Sequence, residues 1–349
     1  MIKKCLLTLV IIIFATQIGF AKNISTEDDF AKLTINLLDP SMKVTQLAIN
    51  FNITISQIEA FNEFIKATDK FKESNVEIAY DDFKYVLDNV ETNDFGYTLM
   101  SSKLADYGFF YLSQLATKKL SDKDITQNHA ENMQKFFYPK KRLPYKEELY
   151  LAEAYSNIMF NDQSKETMQE LLKNSDLLEE FDYANYILAL AAYKANNLQI
   201  AKQYIQVATT QHPQNLNYKI LEAQILANGL KPQQAMKIVN QLKKETLTEY
   251  ELQRRINALE QFVLYKNAKA DWKRNYYLGN YYYLEGEFNK SIKTLQSALG
   301  KNKKNNAQVN ALLSKVYLTM QEYEKAKDSA QKAVKKDKNN SNARLTLGN

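Results

Sequence analysis

The feature that most constrains this chain is an internal repeat with a period of about 34 residues, which is the length of one helix pair in several repeat architectures. Leu278-Gly279 recurs as Leu313-Ser314, one period further along the chain. Leu188-Ala189 is followed one period later by Glu222-Ala223, which keeps the small residue and loses the leucine. Such a period predicts a stack of helix pairs rather than a globular enzyme core, because each pair is too small to bury its own apolar face and must pack on its neighbours.

Five stretches of the chain carry one pattern of small and large residues. An apolar and a small residue lie near the middle of the first helix, and small residues recur seven positions apart on the second. The members are Leu278, Gly279, Tyr282, Ser291, Leu295 and Ala298 in 272–306; Leu313, Ser314, Tyr317, Ala326, Ala330 and Ala333 in the next copy; Leu188, Ala189, Ala201, Ile205, Ala208 and Pro213 in 182–215; Ala223, Leu226, Ala235, Val239 and Leu242 after it; and Leu151, Ala152, Tyr155, Ser164, Met168 and Leu171 near Tyr145.

This pattern resembles the tetratricopeptide repeat (TPR), and it covers roughly half of the chain. Two positions depart from it: Tyr193 comes one residue late, and Glu222 stands where the family has an apolar residue. The resemblance implies an all-α fold, an α-solenoid of stacked helix-turn-helix units. We expect the small residues to let paired helices approach closely and the large ones to fill the space beside them.

The segment 1–21 has the pattern of a secretory signal. Lys3 and Lys4 precede an apolar run from Cys5 to Phe20, and Gly19-Phe20-Ala21 is a small-x-small cleavage site. This run is short for a membrane span, which needs about 20 residues. The sequence therefore predicts export to the periplasm, the cell envelope or the medium, with no membrane span after cleavage.

Cysteine and charge exclude several classes of function. The only cysteine is Cys5, so a mature chain has no disulfide, thiolate nucleophile or cysteine-bound metal. The net charge of +6 is mild for 349 residues and, together with export, argues against nucleic acid as a partner.

The pattern divides the chain into five parts. A signal peptide (1–21) precedes a divergent helical region (22–143), which ends in the connector Pro139–Pro144. TPR-like repeats (144–249) follow, and then a bridging helix (250–271) with Leu252, Ile256, Leu259 and Phe262 at helical spacing. Further repeats (272–349) end with Leu347-Gly348, the start of another copy, so either the sequence is truncated or the last groove is left for a partner.

The segment Val44–Asn62 leaves an alternative open. It resembles a peptidoglycan-binding module of the LysM type in Leu47-Ala48, Phe51-Asn52, Ile58 and Asn62. Such a module has a strand on each side, and the sequence after Asn62 has a helical pattern instead. The competing interpretation is a divergent helical pair that caps the solenoid, and with the LysM interpretation the partner would be a cell-wall glycan.

Groupings that carry chemistry are missing from the sequence. His212 precedes Pro213 at a repeat boundary and is expected in an exposed loop, and His129 has no partner at metal-ligand spacing. There is no phosphate-binding loop, serine elbow or paired metal motif. We therefore expect no catalytic residues, no cofactor and no metal.

The concave surface of the repeats is the expected binding site. The resemblance places there Tyr183, Tyr186, Lys194, Asn217, Gln224, Tyr276, Asn280, Tyr283 and Lys315. Tyrosine gives rigid contact area, and Asn or Gln pairs with an extended peptide backbone. A subset of the family grips a terminal carboxylate with Lys and Asn; Asn280 fits, but Tyr276 stands where the lysine belongs.

The segment 300–349 holds eleven Lys or Arg and four Asp or Glu. Such a cluster is typical of solvated turns, and it would also attract an anionic envelope polymer. The sequence as a whole favours an exported, non-enzymatic scaffold that binds a protein or peptide partner in its groove.

Overall fold

The computed structural model describes residues 55–229, 231–244, 250–301 and 306–348. The predicted signal peptide and most of the LysM-like segment 44–62 lie outside the described residues. All regular structure in the described part is helical. None of the described helices is both long and apolar enough to cross a membrane.

The described helices of the amino-terminal half are α1 (Ile55–Lys72), α2 (Val76–Asn89), α3 (Asp94–Asp106), α4 (Phe110–Lys118), α5 (Lys123–Phe136), α6 (Tyr145–Phe160), α7 (Ser164–Leu171) and α8 (Ser175–Glu180). Those that follow are α9 (Asp182–Lys194), α10 (Leu198–Gln211), α11 (Leu216–Asn228), α12 (Pro232–Lys244), α13 (Tyr250–Asn267), α14 (Asp271–Leu284), α15 (Phe288–Lys301), α16 (Asn306–Thr319), α17 (Tyr323–Lys336) and α18 (Ser341–Gly348).

These helices form a solenoid of pairs. Within each pair the two helices pack on each other, as in α9–α10, α11–α12, α14–α15 and α16–α17. First helices also contact the next first helix, which joins α9 to α11, α14 to α16 and α16 to α18. The predicted all-α solenoid of TPR-like pairs is confirmed.

Small residues allow the close approach that the repeat pattern predicts. A Cβ on Gly279 of α14 would lie 2.6 Å from Cγ of Leu295 on α15, so only glycine fits there without a shift. The Ser291 hydroxyl donates to the Gly279 carbonyl at 2.7 Å and fixes the same crossing. The alanines that open or continue the second helices are equally buried, with Ala201, Ala235 and Ala330 each fully covered.

One turn geometry recurs between paired helices. A residue with positive φ ends the first helix, and the next N–H bonds to the carbonyl five residues earlier, the pattern of a Schellman turn. The donor–acceptor pairs are Asn75–Lys70, Phe109–Leu104, Asn197–Ala192, Glu287–Tyr282 and Glu322–Tyr317, at 2.7–3.0 Å. The positive-φ residues are Ser74, Gly108, Asn196, Gly286 and Gln321. Because two of these turns lie in α1–α4, the described helices 55–118 share the turn geometry of the recognisable repeats.

Packing is continuous through the predicted connector at 139–144. Phe137, Tyr138 and Leu143 are buried in the same core as the repeats. Within the connector, the Lys140 N–H donates to Oδ2 of Asp182 at 2.9 Å and ties it to α9. The domain boundary at 143 stays a prediction, and the polar stretch before it contains the helix α5.

The helix predicted to bridge the two repeat blocks is α13. It contacts α11 on one side and α14 on the other. Ile256, Leu259 and Val263 are buried, as expected for the apolar stripe of a helix between two layers.

His212 differs from the sequence expectation of an exposed loop residue. It is 7% exposed, because the turn between α10 and α11 folds inward and its ring packs edge-on against Tyr218 at 6.2 Å. Its Nδ1 lies 3.7 Å from Oδ2 of the buried Asp182. Neither residue is part of the groove described next.

Candidate functional site: the concave groove

First helices and the bridging helix surround a cavity of about 370 Å³ on the inner side of the solenoid. A cavity of this size is within the range that holds part of a ligand or peptide side chains. Its wall combines aromatic and charged side chains, contributed by α3, α6, α9, α11, α13 and α14: Lys103, Asp106, Tyr155, Met159, Tyr186, Leu190, Tyr193, Lys194, Asn217, Ile220, Gln224, Arg254, Arg255, Leu259, Phe262, Tyr281 and Glu285.

A network of charges crosses the floor of this cavity. Nη1 of Arg255 lies 3.0 Å from Oδ1 of Asp106, and both side chains are less than one-fifth exposed. Nζ of Lys103 lies 3.8 Å from the other carboxylate oxygen of Asp106. Nη2 of Arg255 donates to the Asn217 side-chain carbonyl. The network joins α3, α11 and α13, and so fixes the distance between the amino-terminal helices and the bridging helix.

A row of tyrosines forms one side of the cavity and continues into the core. The ring of Tyr186 stacks on Tyr218 with centroids 5.0 Å apart, and it lies 5.7 Å from the ring of Tyr183. Burial raises the pKa of Tyr186 and raises the pKa of Tyr193 to about 12. Both phenols are therefore neutral at physiological pH and present hydroxyl groups rather than charge to the cavity.

Lys194 ends α9 at the mouth of the cavity. Burial lowers the pKa of Lys194, while the carboxylates of Glu287 and Glu285 act in the opposite direction. The Lys194 residue is nevertheless exposed to solvent, so its ammonium group is accessible to a hydrogen-bond acceptor that a ligand brings.

The cavity brings together four of the predicted site residues: Tyr186, Lys194, Asn217 and Gln224. Tyr183 differs from the expectation. It is 2% exposed, because Phe110 at the start of α4 packs edge-on against its ring at 4.8 Å and covers it. It therefore supports the wall from behind instead of facing the groove.

The other four predicted residues lie outside this cavity, on α14 and α16. Tyr283 is 4% exposed, and the Lys315 ammonium lies 5.4 Å from its ring centre. Tyr276 and Asn280 are half-buried on the same helix as Tyr283. Their contribution to partner binding stays a prediction, and Tyr283 also belongs to the carboxy-terminal core.

Sequence reasoning missed the charged floor, including Asp106 and Arg255. A signal was present for Arg255: it comes three positions after Leu252 and four before Leu259, so it falls on the apolar stripe of the bridging helix. An arginine in such a stripe is rarely buried without a partner. That partner is Asp106, which lies 149 residues away, and no pattern in the sequence around Arg255 predicts it.

These features define the class of protein as an all-α solenoid of TPR-like helix pairs with a polar, aromatic concave groove. No family model matches the chain, and no curated protein matches it. Among solved structures, a crystal structure of the APC/C hetero-tetramer Cut9–Hcn1 is similar at 13% identity, with 83% of this chain and 69% of the other covered and a TM-score of 0.28. The fold rests on the chain's own helices and contacts rather than on a likeness this distant.

Proposed function

We propose that this protein is a non-enzymatic interaction scaffold that holds an extended segment of a protein partner in its concave groove. The observation that carries the proposal is the cavity of about 370 Å³, whose wall is made only by first helices and the bridging helix. Curved repeat stacks use this inner surface to bind extended partners.

The chemistry of the wall suits a peptide. Gln224 and Asn217 carry amide groups, which can pair with a peptide backbone, and the neutral tyrosine hydroxyls can donate or accept. Leu190, Ile220 and Phe262 supply apolar surface between these polar groups. The salt-bridged floor gives the groove a fixed shape, which lowers the entropy that is lost when a partner binds.

The proposal is tested with the full chain and a peptide-display library, followed by affinity measurements on the selected peptides by fluorescence anisotropy. The double variant Lys194→Ala/Gln224→Ala removes two contacts at the cavity wall without opening the core. We expect a loss of affinity of about tenfold or more, from two contacts of about 1 kcal/mol each.

The matched control is Lys202→Ala/Gln203→Ala, which removes the same residue types from the exposed surface of α10. We expect it to bind as the unchanged protein does. Equal losses in the two variants, or a library that yields no binder, would show that the cavity is not the partner site.

We further propose that the scaffold works outside the cytoplasm, in the periplasm or cell envelope. The support is the sequence of the segment 1–21, with Lys3 and Lys4 before the apolar run and Ala21 at the cleavage site. The intact mass of the protein from an envelope fraction should correspond to a chain that begins at Lys22. A mass that still includes 1–21 would contradict signal cleavage.

A further inference from the structure

Two helix faces at opposite ends of the solenoid carry opposite charge. From Ala60 to Asp94 the chain has nine Asp or Glu and four Lys, whereas from Asn306 to Gly348 it has eight Lys or Arg and four Asp or Glu. The predicted partner groove lies between these ends and does not include either face. The charge separation therefore needs an explanation of its own.

The outer face of α2 combines carboxylates with large apolar side chains. Ile78 and Tyr85 are two helical turns apart and are 54% and 60% exposed. Glu77, Asp81 and Asp88 are exposed on the same side of the helix, since positions three, four and seven apart share one face. Lys84 is exposed between Asp81 and Asp88 on the same face, so these four residues carry three negative charges and one positive charge.

The outer face of α17 carries the complementary set. Tyr323 is 61% exposed, and Lys327, Gln331 and Lys335 follow it at every fourth position. Lys325 and Lys332 are engaged by Glu322 and Asp328 at 2.5 Å. Lys327 and Lys335, by contrast, have no acidic partner among the described residues.

We propose that copies of this chain associate head to tail, with the acidic face of α2 in one copy docking on the basic face of α17 in the next. The argument is charge complementarity between two exposed faces of equal length, since α2 and α17 each have 14 residues. The aromatic and aliphatic side chains, Tyr85 and Ile78 on one face and Tyr323 on the other, give apolar contact between the charged rows.

The two faces are different surfaces of one chain, so the contact is heterologous. An open oligomer therefore has a free α2 face at one end and a free α17 face at the other. Further copies can add at these ends until a ring closes. One helix face is about 21 Å long and buries less area than a stable interface requires. The association is therefore weak and depends on both protein concentration and salt.

The test is sedimentation velocity of the full chain over a range of protein concentrations at low and at physiological ionic strength. We expect species larger than a dimer at low ionic strength and high concentration, and their loss when salt is added. A monomer under all conditions would overturn the proposal.

Two charge-reversal variants sharpen this test. Asp81→Lys/Asp88→Lys makes both ends basic, and Lys327→Glu/Lys335→Glu makes both ends acidic. Each variant alone should be monomeric, because its own faces repel. An equimolar mixture should assemble again, because every contact between the two variants pairs a basic face with an acidic one. The unchanged basic α17 face of the first variant docks on the unchanged acidic α2 face of the second, and the basic α2 face of the first docks on the acidic α17 face of the second.

The matched control is Lys202→Glu/Lys237→Glu, which changes the net charge as much as the acidic variant does but lies on exposed surface of α10 and α12. It should assemble like the unchanged protein. Loss of assembly in this control, or failure of the mixture to assemble, would show that net charge and not the pairing of the two faces controls association. Helical circular dichroism of each variant excludes misfolding as the cause of a monomer.

Discussion

At the scale of single residues, Glu148 is a buried carboxyl whose ionisation near neutral pH affects the stability of the fold. It lies in the first turn of α6 and is 4% exposed. Its Oε1 accepts the backbone N–H of Tyr111 at 3.3 Å, at the start of α4, where the N-cap residue Phe109 makes no side-chain bond. Burial raises the pKa of Glu148 to about 7, against the weaker lowering effects of that hydrogen bond and of Arg142.

This shift predicts a loss of stability as the pH rises. Well below pH 4.5 the carboxyl is protonated in both folded and unfolded chains and has no effect. As the pH rises towards 7, the unfolded chain releases its proton first, so the free energy of unfolding falls by up to about 3 kcal/mol. Glu148→Gln removes this titration and still accepts the Tyr111 N–H.

Urea denaturation at pH 5 and pH 8 measures the effect. The unchanged protein should lose stability between these values relative to Glu148→Gln, and the variant should be the more stable of the two at pH 8. The exposed Glu179→Gln on α8 controls for the removal of one charge. Parallel pH profiles for Glu148→Gln and the unchanged protein would contradict a raised pKa.

At the scale of helices, the sequence predicts how pairs cross but not where all of them are. The repeat pattern locates α6–α7, α9–α12 and α14–α17, where small residues such as Ala189, Ala201 and Gly279 are needed for close contact. It gives no complete copy in α1–α4. Their turns use Ser74 and Gly108, and the corresponding positions elsewhere are Asn196, Gly286 and Gln321. Serine, glycine, asparagine and glutamine all adopt the left-handed conformation at this position, because the packing of the two helices requires it. No single residue type therefore marks this turn in the sequence.

The crossing of α14 and α15 provides a test of the small-residue rule. Gly279→Ala adds a methyl group 2.6 Å from Leu295 Cγ, and Leu295 is fully buried. Overpacking of this kind typically costs about 1–3 kcal/mol, more than the roughly 1 kcal/mol that alanine gains over glycine in a helix. We expect a net fall in the stability of the carboxy-terminal pairs.

Hydrogen exchange of the α14–α17 amides is the measurement, because it reports on one part of a repeat array. Gly348→Ala is the matched control, since a Cβ there meets nothing within 4 Å. It should leave exchange in these helices unchanged. If the α14–α17 amides exchange as slowly in Gly279→Ala as in the unchanged protein, the close approach of α14 and α15 does not depend on glycine at position 279.

At the scale of the whole molecule, the groove shows what local pattern can and cannot predict. Tyr186, Lys194, Asn217 and Gln224 line one cavity, and their role in partner binding stays a prediction. Tyr183 does not line it, since Phe110 covers it. Asp106 and Arg255 come from outside the recognisable copies, and the curvature of a repeat stack is a sum of many small rotations that no single motif encodes.

The ion pair between Asp106 and Arg255 is a contact between helices that are far apart in the sequence. It joins α3 to α13 across the groove, and the two side chains are 19% and 17% exposed. Asp106→Ala removes the carboxylate that lies 3.0 Å from Nη1 of Arg255 in a largely buried position, which should cost about 2–3 kcal/mol after allowance for the residual exposure of the pair. The loss should appear as faster hydrogen exchange in both α3 and α13, although only α3 carries the substitution.

A double-mutant cycle with Arg255→Ala separates the pair from the effect of each side chain alone. We expect a coupling free energy of about 1–2 kcal/mol. Each single variant loses the ion pair and keeps one of its two charged side chains, whereas the double variant has neither. The control pair is Lys243 and Glu260, which join α12 to α13 at 2.6 Å but are 39% and 25% exposed. Its coupling should be below about 0.5 kcal/mol, because solvent screens it and its helices are already neighbours in sequence. If the two cycles give equal couplings, the groove is held by helix packing alone, and the shape of the partner site is set by the repeats rather than by the charges on its floor.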